Sequence, residues 1–181
     1  MAEHFPGAST FAELDWDDLR YTYEIPTSFR PIIPTGVNLY FDPPPGSCTF
    51  FTQQFVSGLR LPPHPFLSGV CRYFKIPLGQ LTPNSIKILC GFVILCEVCE
   101  VSWSAPLFHC FFALARHADG LFYFQARSHT AFFSPLPPPS ANWRKKFFFL
   151  RFPEEVDWPL RWQSALPMTP ALQDFHMDLP Y

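Results

Sequence analysis

The chain has 181 residues, of which 48% are hydrophobic and 18% aromatic, and its formal net charge is −2. The high apolar content and low net charge argue against intrinsic disorder. The length favours a single domain. Phe and Pro each occur 22 times, which predicts a core of aromatic rings and short elements joined by rigid, extended connections.

The chain divides by composition into three regions. Residues 1–20 are expected to form a flexible acidic N-terminus, residues 21–153 a globular domain, and residues 154–181 an acidic tail that contains several prolines. A short helix is predicted over Leu14–Tyr23, with acidic side chains near its start. Closely spaced prolines then predict an extended segment between residues 26 and 34.

Four helices are predicted in the globular region. The first follows the break at residues 43–46 and runs from Ser47 to Gly58, because apolar side chains recur at helical spacing. The second covers His64–Phe74. The third begins at Thr82, with Pro83 in the first helical position, and should be the most buried element because it is apolar nearly all round. The fourth starts at Ser104 and ends before Gly120.

Two short aromatic runs have strand character. They cover Leu121–Arg127 and Phe147–Phe152, and we expect them to pair with each other as a small antiparallel ribbon. The predicted fold class is therefore mainly α with a small β component (α+β), in which a compact core of about four helices carries this ribbon.

The six cysteines are expected to be reduced thiols rather than disulfides or metal ligands. The N-terminus has no secretion signal, and the longest apolar run is too short to cross a bilayer, so we expect an intracellular protein of the cytoplasm or nucleus. Cys96 and Cys99 form a CxxC pair, and His109 and Cys110 could in principle complete a zinc site. Their place in a very apolar helix favours buried core thiols, and we predict no metal and no cofactor.

No constellation of catalytic residues is recognisable. Carboxylate chemistry of the transposase kind needs several acids gathered around metal ions, and the central region offers only Glu97, Glu100 and Asp119. Phosphate-binding loops and nucleophile motifs are absent from the sequence. We therefore expect a protein that is not an enzyme.

A basic segment is the candidate binding site. Residues 43–153 carry a net charge of +7 between acidic flanks of −5 and −4, so the flanks either fold back over this centre or leave it free for an anion. Trp143, Arg144, Lys145 and Lys146 precede the second aromatic run, and Arg127 ends the first. Bases beside aromatic rings suit nucleic acid; the alternative is a solvated loop that keeps an aggregation-prone strand soluble.

An ordered series of short motifs resembles the plant "putative gypsy-type transposon" domain family. The motifs, found between about residues 20 and 153, are EIP, PPPG, GLRLPPHPFL, QLTPN, GF, LFYFQAR and NWRKKFFFLR. The resemblance implies a retroelement origin and supplies no catalytic residues. Our leading hypothesis is a non-enzymatic, gag-like module for protein interaction or self-assembly; the alternative is weak nucleic-acid binding through the basic centre. No membrane partner is expected.

Overall fold

The computed structural model describes residues 8–127, 138, 139, 141–153, 159 and 161–168. Helices and strands are mixed along this part of the chain, so the predicted α+β class is confirmed. The helices are α1 Glu13–Thr22, α2 Thr52–Val56, α3 Pro65–Phe74, α4 Pro83–Val98 and α5 Ala105–Phe111. The strands are β1 Arg30–Ile32, β2 Ser47–Phe51, β3 Phe112–Arg116, β4 Phe122–Ala126 and β5 Phe147–Arg151.

Strand β5 is the centre of a three-stranded antiparallel sheet in the order β1-β5-β2. Its first four residues, Phe147–Leu150, are completely buried, as expected for a strand covered on both faces. The predicted pairing with Leu121–Arg127 is wrong, because β5 pairs with β1 and β2 instead. Local sequence could not show these partners, since both lie far away along the chain.

The predicted fourth helix is correct only in its first half. Ser104 caps α5, its side-chain oxygen accepting the N–H of Leu107 at 3.2 Å. From Phe112 the backbone becomes β3, which forms a two-stranded antiparallel sheet with β4. The Asp119–Gly120 dipeptide between the two apolar runs is typical of a hairpin loop. The segment before it therefore forms a strand of the hairpin, even though its phenylalanines recur at helical spacing.

The predicted first helix is a strand in its first half and a helix in its second. Residues Ser47–Phe51 form β2, and every one of them is buried, so the sequence lacks the alternation that marks a half-buried strand. Only Thr52–Val56 is helical. The completely buried Gln54 connects this helix to the 3-10 turn Leu78–Gln80, which lies between α3 and α4. Its Nε2 donates to the carbonyl oxygens of Gly79 at 2.9 Å and Leu81 at 2.7 Å.

The second and third predicted helices agree with α3 and α4. His64 caps α3 and Thr82 caps α4, and each helix has a proline in its first turn. Within α4, Phe92 is buried and stacks on Phe66 with ring centroids 5.5 Å apart. The expectation that α4 is buried on all sides is wrong: the C-terminal half has an exposed face, while β5 and β2 are more completely enclosed.

The segment ahead of α1 packs against β5. Ser9 Oγ donates to the carbonyl oxygen of Phe147 at 2.6 Å, and the N–H of Thr10 donates to the carbonyl oxygen of Lys145 at 2.7 Å. Phe11 is buried. The described part of residues 1–20 thus contacts the sheet, while the expected flexibility of this terminus stays a prediction. The three composition-based boundaries themselves stay predictions.

Candidate interaction surface around the basic segment

Trp143 is a core residue that anchors the basic segment. It begins a 3-10 turn, Trp143–Lys145, and its side chain is only 7% exposed. The indole meets the ring of Phe51 edge-on, with centroids 4.9 Å apart. An indole buried in this way is not available to stack on a base, although it fixes the position of the three cations that follow.

Arg144 lies over this indole and is paired with an acid. Its guanidinium carbon is 4.5 Å from the Trp143 ring centroid, and its Nε donates to Asp119 Oδ2 at 2.6 Å. Asp119 belongs to the turn between β3 and β4, where the Tyr40 hydroxyl donates to its carbonyl oxygen at 2.9 Å. The ion pair thus attaches the basic segment to the hairpin turn.

Lys146 is paired with the acidic N-terminal region. Its Nζ donates to Asp15 Oδ1 at 2.9 Å. Burial opposes the charged form of Asp15, but hydrogen bonds from Lys146 and from the Ala12 N–H prevail and hold the pKa of this carboxyl below its ordinary value. At this residue the N-terminal flank does fold back and neutralise the basic centre. Lys145, between the two paired cations, has an exposed side chain.

Arg127 lies at the other end of β4 from this group. Its Nε donates to the carbonyl oxygen of His109 at 2.9 Å, whereas Asp119 and Arg144 meet beyond the beginning of the strand. Five residues of strand separate the two ends by roughly 16 Å. The structure therefore brings Trp143–Lys146 together and leaves Arg127 at a separate position beside α5.

The cysteines are six free thiols, of which three are buried. Burial raises the pKa of Cys48 to about 12, so this thiol is protonated at neutral pH. Cys96 is buried, but Cys99 is exposed at the end of α4, so the expected burial of both is wrong for Cys99. In the part of the chain that the structure describes, no three His, Cys, Asp or Glu residues are grouped to hold a metal ion.

The three candidate carboxylates lie at opposite ends of α4. The N–H of Thr82, the N-cap of this helix, donates to the carbonyl oxygen of Phe122 at 2.8 Å, which places the hairpin and Asp119 near the N-terminal end. Glu97 and Glu100 are at the C-terminal end of a 16-residue helix, roughly 24 Å away. They do not converge on one site.

Sequence reasoning missed a second group of residues beside the hairpin turn. Gln80 is completely buried, and its Nε2 donates to the carbonyl oxygens of Gly120 and Gln163, each at 2.7 Å. Its Oε1 accepts the N–H of Gln163 at 2.9 Å. Nothing local marks Gln80 as buried; only the Asp119–Gly120 dipeptide, as a hairpin signal, could have pointed to this place.

These contacts define a small α+β domain in which one hairpin turn joins the basic segment, the core and the tail. A family model described as "putative gypsy type transposon" matches residues 49–116. The match extends from β2 to the end of β3, so the resemblance to this family is confirmed over that segment, which includes Gln80 and precedes the basic segment.

Two further comparisons found nothing: no curated protein and no solved structure matches the chain. Among helices in the described ranges, none is both long and apolar enough to cross a membrane.

Proposed function

We propose that this transposon-derived chain is a non-enzymatic, gag-like module for protein interaction, and that it assembles with itself. The observation that carries the proposal is the exposed apolar face on the C-terminal half of α4. Ile94 is 61% exposed and Val98 is 76% exposed, and residues four apart lie on the same side of a helix. Val101, just beyond the helix, is also exposed, at 49%.

The composition of α4 supports an interaction at this face. A helix that is apolar on all sides is normally covered on all sides. The helix α4 is rich in apolar residues, yet one side of its C-terminal half is exposed. Contiguous exposed apolar surface marks contact sites in soluble proteins. The exposed Glu97 and Glu100 provide the polar border that such sites commonly have.

A second copy of the chain is the partner that we propose for this face. An uncharged apolar row is complementary to itself, so two copies can meet through the same residues about a twofold axis. Such a contact would cover Ile94, Val98 and Val101 on both copies at once. Self-association through α4 is also compatible with a structural role in an assembly.

Sedimentation velocity over a range of micromolar concentrations tests this proposal. The native chain should form dimers or larger species as concentration rises, and the double variant Ile94→Glu, Val98→Glu should stay monomeric. A matched control is Leu14→Glu, Tyr21→Glu, which changes two exposed apolar residues of α1. A native chain that is monomeric throughout, or a control that dissociates equally, contradicts the proposal.

Nucleic-acid binding remains the alternative proposal, and the exposure of Lys145 and Lys146 at the entrance of β5 favours it. The Lys146 side chain is 51% exposed despite its ion pair. Lys145→Ser is the cleaner probe, because changing Arg144 or Lys146 also removes an ion-pair partner. Binding of labelled oligonucleotides should weaken steeply with salt and decrease in Lys145→Ser. If no complex forms even at low salt, the segment serves only to keep β5 soluble.

A further inference from the structure

The tail segment around Trp162 and Gln163 is seated in a groove in the manner of a bound peptide. Gln80 contacts the backbone of Gln163 at two points, donating to its carbonyl oxygen at 2.7 Å and accepting its N–H at 2.9 Å. This is the donor and acceptor pattern that a neighbouring strand offers to an extended peptide. A single buried side-chain amide supplies it here, without help from a strand.

The groove also has a place for an aromatic side chain. The indole of Trp162 lies against Tyr40, with ring centroids 5.6 Å apart. It also covers the hairpin turn: a Cβ added at Gly120 would lie 3.6 Å from Trp162 Cζ2. Gly120 has a φ of +86°, a conformation that glycine adopts without strain. Without a side chain at Gly120, the indole packs closely against the turn.

The receptor side of the groove is built by the domain itself. Tyr40 is 1% exposed and packs in a small core with Phe51 and Phe147. Its hydroxyl donates to the carbonyl oxygen of Asp119, while Gln80 Nε2 donates to that of Gly120. These bonds hold both groove residues in place through contacts that do not involve the tail.

Arg161, the residue before Trp162, also lies beside the domain. A cleft of about 520 Å³ beside the groove is lined by Asp42 from the proline-rich loop and by Arg161 from the tail. Both side chains border this cleft, so Arg161 is included in the segment that contacts the domain here. The segment assigned to the groove is therefore Arg161–Gln163.

We propose that the groove formed by Tyr40, Gln80 and Gly120 is a peptide-binding site whose ligand is the Arg161–Gln163 segment of a second copy of this chain. Every contact made within one copy is available between two copies, because it requires only this short segment. Exchange of an identical element between protomers is an established route to assembly. This inference rests on the proposed self-assembly and adds a second contact between copies, separate from the one through α4.

Peptide binding to the full-length Trp162→Ala variant tests the groove itself. This variant keeps Tyr40, Gln80 and Gly120 but lacks the indole that occupies the site. A fluorescent peptide with the sequence of residues 159–168 should bind it saturably, and should bind the native chain at least tenfold more weakly because its site is filled. The same peptide with alanine in place of tryptophan is the control and should also bind at least tenfold more weakly. Equal binding of both peptides, or no binding at millimolar concentration, overturns the proposal.

Exchange between copies needs a second measurement. Full-length chain carrying Trp162→p-benzoylphenylalanine is prepared in normal and ¹⁵N-labelled forms, mixed and irradiated. Cross-links from position 162 to the peptides around Gln80 and Gly120 should include pairs of mixed isotopic origin that increase with concentration. Cross-links formed only within one isotopic form would show that the tail serves its own copy. In that case association through Ile94 and Val98, measured separately, would still decide the proposed function.

Discussion

The ring of Phe11 stacks on the ring of Phe148, with centroids 4.6 Å apart and an angle of 23° between the planes. Both side chains are buried, although one lies before α1 and the other in the central strand β5. Phe11→Ala should therefore lower the free energy of unfolding by about 3 kcal/mol. Urea denaturation checks this, and a loss below about 1 kcal/mol would show that the segment contributes little.

Gly79 is predicted to be the glycine least tolerant of substitution. A Cβ at this position would lie 1.7 Å from the carbonyl oxygen of Thr49 and 3.1 Å from Cys48 Sγ, so β2 would have to move. Gly79→Ala should destabilise the fold by about 3 kcal/mol or prevent folding. Gly69→Ala is the matched control: no atom lies within 4 Å of its added Cβ, and alanine in α3 should stabilise by about 0.5–1 kcal/mol. Thermal denaturation of both variants gives the comparison.

The Asp15–Lys146 ion pair should make a small, acid-sensitive contribution to stability. Because the folded-state pKa of Asp15 is below the ordinary value of 3.8, the contribution is present above that pH and is lost as pH falls through the lower, folded-state pKa. The Lys146 side chain is 51% exposed, so Asp15→Asn should cost only about 0.5 kcal/mol at neutral pH. Its unfolding midpoint should then depend less on pH below about 4 than that of the native chain.

High salt provides the control for this ion pair. Salt screens exposed charges, so the difference between native chain and Asp15→Asn should shrink as ionic strength rises. A difference that is independent of salt would mean that the asparagine disturbs the start of α1 rather than the pairing with Lys146.

His109 should impose a second pH dependence, nearer to neutrality. Burial, with a further contribution from the charge of Arg127, lowers the pKa of this imidazole from its ordinary value of 6.5. The unfolded chain then binds the proton more readily, so stability is complete above about pH 6.5 and declines as the pH falls toward the folded-state value. In His109→Asn the unfolding midpoint should vary less between pH 7 and pH 5.

An NMR titration distinguishes His109 from the other histidines. Because burial and Arg127 lower its pKa, the His109 imidazole signal should titrate below the range of an exposed histidine. Tyr73 Oη lies 3.1 Å from His109 Nδ1, so the signal that shifts in Tyr73→Phe identifies His109. An ordinary titration midpoint for His109 would contradict the assignment of this pH dependence.

Elements with local start signals could be predicted from the sequence, and elements that depend on distant partners could not. Thr82 followed by Pro83 begins α4 as expected, because capping is decided within one helical turn. Strand β2 was predicted as a helix, since the fully buried Ser47–Phe51 shows no alternation and Phe51 and Phe55 also fit helical spacing. Its identity depends on pairing with β5, which is remote in sequence.

The same distinction applies to the candidate site. Trp143, Arg144, Lys145 and Lys146 were predicted as a site because they are adjacent in sequence, and the structure gives the contacts of each. Their ion-pair partners were beyond sequence reasoning, because Asp15 and Asp119 come from separate regions of the chain. In the sequence, Gln80 resembles any polar residue in a turn. Its role depends on contacts with the hairpin and the tail, which are remote in sequence.

The central position of β5 has a consequence for synthesis on the ribosome. Strands β1 and β2 both pair with β5, but β5 leaves the ribosome about a hundred residues after β2, and pairing over such separations is slow. Until then the apolar residues of β2 are exposed in the nascent chain, where unpaired strands of this kind invite aggregation. Folding of the three-stranded sheet is therefore necessarily a late event in translation, and chaperone binding should be concentrated on chains that have released β2 but not yet β5.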